Sequence, residues 1–352
     1  MVDYNTTMKV GAVQAEPVWL DAAATVEKSR ELIAQAANDG VELLAFAETW
    51  IPGYPFWIWL DAPAAGMPLV GRYHANSMTR DDEHMRALQD AARTHNISLV
   101  VGLSERNAGT LHMSQALINA DGELVRLRRK LRPTHVERTI FGDGDGSDLA
   151  VVDMAGARVG ALCCWEHLQP LVRMAMYGQH EQVHVASWPS FGLYRGMAFA
   201  LGPEVNMAAS RMYAAEGQCF VIAATQVVGE AAYEVFGDDE RTRSFLQPGG
   251  GYSMIFGPDG RELAEGLDET AEGIVTADID LAMIPLAKNA GDPVGHYGRP
   301  DILRMFVSSE PRSVVTIGEQ RHDAAGESHH VASVPEVSLL PEIGNGIAEA
   351  RS

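Results

Sequence analysis

Val159-Gly160-Ala161-Leu162-Cys163-Cys164-Trp165-Glu166-His167 is the stretch whose reading decides the fold. Four small or apolar residues run directly into two cysteines, an aromatic ring, an acid and a histidine. Pro170 then opens a helical pattern that reaches Tyr177. A short apolar run ended by a polar turn is a buried strand, and proline suits the first turn of a helix. Strand, turn and helix in this order present reactive groups at the carboxyl end of a strand, where α/β sheets carry their chemistry. A thiol placed before a helix also gains thiolate character.

The neighbouring segments extend the same sheet. Upstream, residues 150–153 pair with 158–163 around Ala155-Gly156, and residues 113–119 pair with 123–128 around Asp121-Gly122, a strong hairpin signal. Earlier still the spacing predicts a strand over 98–103, a helix over 81–93 and a strand over 43–46. That last strand delivers Glu48 into a loop of prolines and aromatic rings. A helix over 21–38, stopped by Asp39-Gly40, follows a first strand at 8–14. Downstream come a strand at 183–186, a helix at 203–216 and a strand at 219–225. Strands at 252–256 and 274–278 close the pattern, with Pro258-Asp259-Gly260 between them. Mixed βαβ units and hairpins in one run predict an α/β layered sandwich, mixed sheets covered by helices.

Composition bounds the function. The 352 residues are 46% hydrophobic and 21% charged, which suits a globular chain with a large core. Lys and Arg number 27 against 47 Asp and Glu, a net charge of −20 that disfavours nucleic acid and anionic membrane surfaces as partners. Three cysteines, two of them adjacent, form no disulfide framework and read as reduced thiols. The start MVDYNTTMKV shows no secretory pattern, and no apolar run approaches the ~18 residues of a membrane span. A cytoplasmic location is the expectation. Residues 1–317 read as one domain. Residues 318–352 turn small and polar, a tail that is either solvated or docked on a neighbouring subunit through 337–340.

Two motifs tempt a metal reading. His180-Glu181-Gln182-Val183-His184 is a literal H-E-x-x-H, which binds zinc only on a helix. Here it continues into an alternating strand, where residues four apart lie ~13 Å from each other, too far to share one zinc. Gly142-Asp143-Gly144-Asp145-Gly146-Ser147-Asp148 fails as a calcium loop, because its sixth position is Asp148 and its twelfth is Met154. No metal is expected at either. Three other groups carry more: Cys164 at its strand end, Glu48 at the end of an apolar strand where an unpaired carboxylate is costly, and Lys130 closing the strand-like run 124–129.

Phe46-Ala47-Glu48-Thr49, Arg129-Lys130-Leu131-Arg132-Pro133-Thr134 and Cys164-Trp165-Glu166-His167 stand in the order found in the nitrilases, the carbon–nitrogen hydrolase superfamily, which the chain resembles over residues 8–306. Cys-Trp-Glu looks like the nitrile-cleaving branch; the amidase and carbamoylase branches usually carry Cys-Tyr/Phe-Asp. Residues 134–138, 142–146 and 296–301 also look like that branch, with Gly298 where Ser is expected. The resemblance implies an αββα sandwich that dimerises into αββα-αββα and assembles further into spirals or filaments. It implies hydrolysis of a small-molecule nitrile to the acid and ammonia with no cofactor, Cys164 being the nucleophile, Glu48 the base and Lys130 the cation. Glu137 matches a supporting carboxylate. Tyr54, His135, Trp165 and Trp188 are the candidate substrate contacts, and Trp57 and Trp59 are expected as filler. The same three reactive residues also suit an amide or carbamoyl hydrolase. A non-catalytic assembly scaffold is the reading from another class.

Overall fold

Eleven strands run through the described residues, and the central ones of each half are buried on both faces. In the computed structural model, which describes residue 4 and residues 6–312, the strands are β1 (Thr7–Ala15), β2 (Leu43–Ala45), β3 (Ser98–Asn107), β4 (Thr110–Ile118), β5 (Leu124–Arg129) and β6 (Val152–Met154). They continue as β7 (Ala157–Cys163), β8 (Val183–Ser187), β9 (Phe220–Gln226), β10 (Met254–Phe256) and β11 (Gly273–Asp280). Their order is β5-β4-β3-β2-β1-β9-β8-β7-β6, with β11 on β1 and β10 on β9. The β1–β9 junction is only two residues long, Gln14 opposite Thr225 and Ala15 opposite Gln226, so the strands divide there into two sheets.

The alternation of side chains explains the layers. Val10, Ala12, Leu43, Ala45 and Val100 of one sheet share a core with Val159, Ala161, Val185, Phe220 and Ile222 of the other. The intervening residues point outward. Val13, Leu44, Leu99 and Val101 pack under the helices Ala22–Asn38 and Glu83–His95. Leu162, Ala186, Val221 and Ala223 pack under Pro170–Tyr177 and Pro203–Gly217. Burial on both faces is why these strands read as unbroken apolar runs. The result is the αββα sandwich.

Caps fall where the sequence places them. Asp21 accepts from the Ala24 N–H at 2.9 Å at the start of Ala22–Asn38, a cap whose loss costs about 1 kcal/mol. Differences lie in the polar pieces. β3 and β4 extend into a hairpin around Ala108-Gly109 that apolar patterning missed, because Glu105 is buried there by pairing with Arg129 and Ser114. Short helices at Trp57–Leu60, Met67–Ala75, Glu230–Phe236, Glu240–Phe245 and Met283–Gly291 were also not predicted; each is short and its apolar face narrow. No helix among the described residues is long and apolar enough to cross a membrane. The expected tail, with its apolar stretch 337–340, lies outside the described residues.

Candidate active site

Three strand ends converge. Glu48 follows β2, Lys130 follows β5 and Cys164 follows β7. The loop carrying Glu48 lies directly on β3: a side chain at Gly102 would put its Cβ 2.0 Å from the Ala47 carbonyl oxygen, so only glycine admits the loop. The Glu48 backbone is then held from the other sheet, its N–H donating to the Trp188 carbonyl at 3.2 Å and its carbonyl accepting from Gln226 Nε2 at 2.7 Å. Lys130 is fixed by its N–H to the Met113 carbonyl at 2.7 Å and by the Gly144 N–H to its own carbonyl at 2.9 Å. The glycine-aspartate loop around residues 142–148 is therefore a brace. Asp148 accepts from the N–H groups of Arg129 and Asp145.

Lys130 Nζ donates to Glu48 Oε1 at 2.9 Å and to Glu137 Oε2 at 2.7 Å, and all three side chains are buried. Glu137 is itself oriented by the Tyr54 hydroxyl at 2.7 Å and the Thr134 N–H at 2.5 Å, and Trp59 Nε1 donates to Tyr54 at 2.9 Å. Of the oxygens of these two carboxylates, Glu48 Oε2 is the one without a partner. A buried acceptor left open beside a fully occupied one is positioned for something else to bind.

Charge follows from burial. Desolvation pushes the Glu48 carboxyl up to about 8, Lys130 offsetting only part of it. Burial alone would lower Lys130, but Glu137 and Glu48 outweigh it and hold the ammonium well above its ordinary range. The Cys164 thiol is driven well upward, first by burial and then by Glu48, against the pull of Lys130. This corrects the expectation of thiolate character from position alone. The turn behind Cys164 is a 3-10 turn, Cys164–Leu168, too short to act as a helix terminus, and the nearest charges oppose each other. Cys164 is held as a thiol whose proton must move during any reaction.

Cys164 adopts φ 46°, a left-handed conformation in which a non-glycine residue is strained. Glu166 locks the turn: it accepts the Cys163 N–H at 2.8 Å and the Leu131 N–H at 2.8 Å, and pairs with Arg128 at 2.8 and 2.9 Å. Arg128 also donates to Gln115, which donates to Ser187, whose hydroxyl reaches the Phe46 carbonyl. One buried polar line thus ties the ends of β2, β5, β7 and β8. Cys163 is fully buried in the sheet.

A cavity of about 30 Å³, room for one or two waters, opens beside the cluster and reaches Cys164 and Glu137. Tyr54, Phe56, Trp59, Glu137, Cys164 and Trp165 are among its walls. A larger groove of about 320 Å³ beside Pro203–Gly217 touches none of Glu48, Lys130 or Cys164, so volume does not mark the chemistry here. Of the expected substrate contacts, Tyr54 and Trp165 reach the cavity. His135 is an exposed residue stacked on Trp59 at 5.5 Å, and Trp188 is buried in the core, stacked on His167 at 5.0 Å. Trp57 is core filler against Tyr73, whereas Trp59 lines the cavity, a correction to the pairing of the two. Asn206 was missed. It lies in the same wall with both amide hydrogens given to the Ala200 and Gly202 carbonyls and a buried Oδ1 unpartnered. A helix-interior asparagine gives no signal of this kind in a sequence.

The H-E-x-x-H stretch is not helical. His180 is exposed in a left-handed turn, and His184 lies on β8 with both ring nitrogens engaged, by Glu181 at 2.7 Å and His167 at 2.9 Å.

Comparison with known proteins agrees with this architecture. The family model for carbon-nitrogen hydrolase matches residues 9–289. An aliphatic nitrilase of Rhodococcus rhodochrous is 57% identical over 306 residues, 87% of this chain and 84% of that protein. A nitrilase of Pseudomonas syringae pv. syringae (strain B728a) is 54% identical over 308 residues, 88% and 92% of the two. The crystal structure of a carbon-nitrogen hydrolase from Helicobacter pylori G27 aligns with TM-score 0.68 at 19% identity, covering 84% of this chain and 97% of that one, a likeness of fold. With its family match spanning most of the sandwich and relatives above half identity, the chain belongs to the carbon-nitrogen hydrolase family.

Proposed function

We propose that the protein hydrolyses an uncharged organic nitrile to the carboxylic acid and ammonia through a covalent intermediate on Cys164. The observation that carries this is the buried Glu48–Lys130–Glu137 cluster beside a strained cysteine, with one carboxylate oxygen of Glu48 left open. Relatives named nitrilase at 57% and 54% identity support a nitrile over an amide.

Each group has a task that the chemistry demands. A nitrile carbon is a modest electrophile, and thiolate sulfur is a strong soft nucleophile. Glu48, with its carboxyl pushed up to about 8, both accepts and returns a proton near neutral pH. It takes the Cys164 proton as the S–C bond forms and gives it to the nitrile nitrogen, leaving a thioimidate. Glu48 then activates water against the same carbon. The C–N bond breaks, nitrogen leaves as ammonia, and a thioester remains. A second water releases the acid and restores the thiol. Lys130, held charged by two carboxylates, stabilises the negative charge of the tetrahedral states together with the Trp165 N–H that faces the sulfur. Glu137 positions Lys130.

Aromatic walls and the small cavity favour short, uncharged aliphatic nitriles, then arylacetonitriles, over nitriles carried directly on a ring. Self-association belongs to the same proposal. Leu171, Phe199 and Met212 are exposed on or beside the two packed helices Pro170–Tyr177 and Pro203–Gly217, an apolar face suited to a second copy of the chain.

Ammonia release from a panel of nitriles and their matching amides tests the reading. Turnover of nitriles well above that of the amides is expected. Turnover of amides alone would replace nitrile hydrolysis with amide hydrolysis.

A further inference from the structure

Behind the nucleophile, four buried side chains form one hydrogen-bonded line that the reaction above does not use. The Tyr213 hydroxyl donates to Glu181 Oε2 at 2.6 Å, and Glu181 Oε1 lies 2.7 Å from His184 Nδ1. His184 Nε2 lies 2.9 Å from His167 Nε2, and His167 Nδ1 lies 2.7 Å from the Cys164 carbonyl oxygen. Space for the carboxyl exists because residue 160 is glycine; a Cβ there would sit 1.9 Å from Glu181 Oε1.

The carbonyl sets the direction of every bond. It can only accept, so His167 Nδ1 carries a hydrogen. Burial first, then His184, keep His167 neutral, so its Nε2 is a lone pair. His184 Nε2 must therefore donate. Burial keeps His184 neutral too, so its Nδ1 accepts and the shared proton belongs to Glu181. Tyr213 donates to the other carboxyl oxygen, which accepts. Moving the shared proton across to His184 leaves the line intact. Removing it does not. With Glu181 ionised and both imidazoles neutral, two hydrogens serve three contacts, so lone pairs must meet at one of them: between Glu181 and His184, between the histidines, or at the Cys164 carbonyl.

We infer that Glu181, His184 and His167 are positioning residues for the nucleophile: they hold the Cys164 carbonyl, and with it the left-handed turn that aims the sulfur, through a line that is fully bonded only while it keeps the proton shared by Glu181 and His184. Burial raises the Glu181 carboxyl to about 8, against a smaller opposing effect of the Tyr213 hydrogen bond. The other titratable groups near the line are Tyr177 of the helix Pro170–Tyr177, Cys219 before β9, and the Arg128–Glu166 pair, whose charges act on His184 in opposite senses. His184 stacks on the Tyr213 ring at 3.8 Å and His167 on Trp188 at 5.0 Å, so neither imidazole can turn away.

This inference rests on Cys164 as the nucleophile. The test compares kcat and KM for ammonia release from glutaronitrile, from neutral to alkaline pH, in wild type, Glu181→Gln and Glu181→Leu. The glutamine amide donates to His184 and accepts from Tyr213 at every pH. Glu181→Leu should lose about tenfold in kcat with KM unchanged, the scale of one disturbed network bond. Glu181→Gln should restore that loss and keep its kcat on the alkaline side, where the wild type declines. An alkaline decline in Glu181→Gln with the wild-type midpoint, or a wild-type kcat in Glu181→Leu, overturns the inference. Should Glu181→Leu not fold, the profile of the glutamine variant decides alone. A wild type that releases no ammonia from any nitrile defeats the nitrile reading instead. The alkylation rate of Cys164 by iodoacetamide, read by peptide mass, then replaces kcat with the same order expected.

Discussion

Arg128 and Glu166 meet through two hydrogen bonds, at 2.8 and 2.9 Å, with neither side chain touching solvent. Arg128 holds the Glu166 carboxyl below its ordinary range although burial pushes the other way. The pair fixes the end of β5, which carries Lys130, against the turn that carries Cys164. Removing one partner leaves a buried charge uncompensated. Arg128→Met should therefore cost about 3–5 kcal/mol. Adding Glu166→Leu should cost less than the two single losses together. Urea unfolding of the three variants checks this, and strict additivity would show that the pair does not act as a unit.

Glu48 and Lys130 should behave as one catalytic unit. Glu48→Gln keeps size but accepts no proton, and Lys130→Met keeps length but loses the charge. Each should lower kcat by about two orders of magnitude or more, and the double variant should lose little beyond either. Steady-state ammonia release gives all three numbers. A single variant with near wild-type kcat removes its residue from the mechanism.

The positions of these residues were legible for a physical reason. Each ends a strand, and strands buried on both faces announce themselves as apolar runs whose ends are sharp. Arg128 was legible in principle, since it lies two residues before Lys130, on the period-two face of β5 that leads to it. What the sequence conceals is long-range polar pairing. Glu105 on β3, Gln115 on β4 and Asn206 on a helix are buried because of partners far away in the chain, or face a cavity no local pattern encodes. His180 to His184 shows the converse: a motif with a strong textual match takes its role from a strand and a neighbouring histidine.

Tyr54 has two roles that one pair of variants separates. Its ring walls the cavity and its hydroxyl orients Glu137. Tyr54→Phe removes a hydrogen bond to a charged group, worth about 1.5–3 kcal/mol, and should lower kcat roughly tenfold or more while leaving the order of substrates intact. Tyr54→Ala should in addition change the ratios of kcat/KM among glutaronitrile, phenylacetonitrile and benzonitrile. Unchanged ratios would place the ring outside the substrate pocket.

Protonation of Glu181 has a stability signature independent of turnover. A carboxyl whose folded pKa is raised contributes stability fully below its unfolded value and loses it as pH rises through the folded value, here about 8. Glu48 has the same sign, but Glu181→Gln leaves it unaltered. The Tm of Glu181→Gln relative to wild type should therefore rise from acid pH to pH about 8 and level off above it. A difference that is flat with pH would mean that Glu181 is ionised in the fold throughout.

The covalent step on Cys164 is the claim on which the rest depends, and intact-protein mass spectrometry reads it most directly. Protein mixed with a slowly turned-over nitrile and quenched in acid should carry one adduct of thioimidate or thioester mass. Peptide mapping should place it on Cys164, Cys163→Ala should retain it, and Cys164→Ala should lose both the adduct and ammonia release. Ammonia released at the wild-type rate by folded Cys164→Ala would contradict the account.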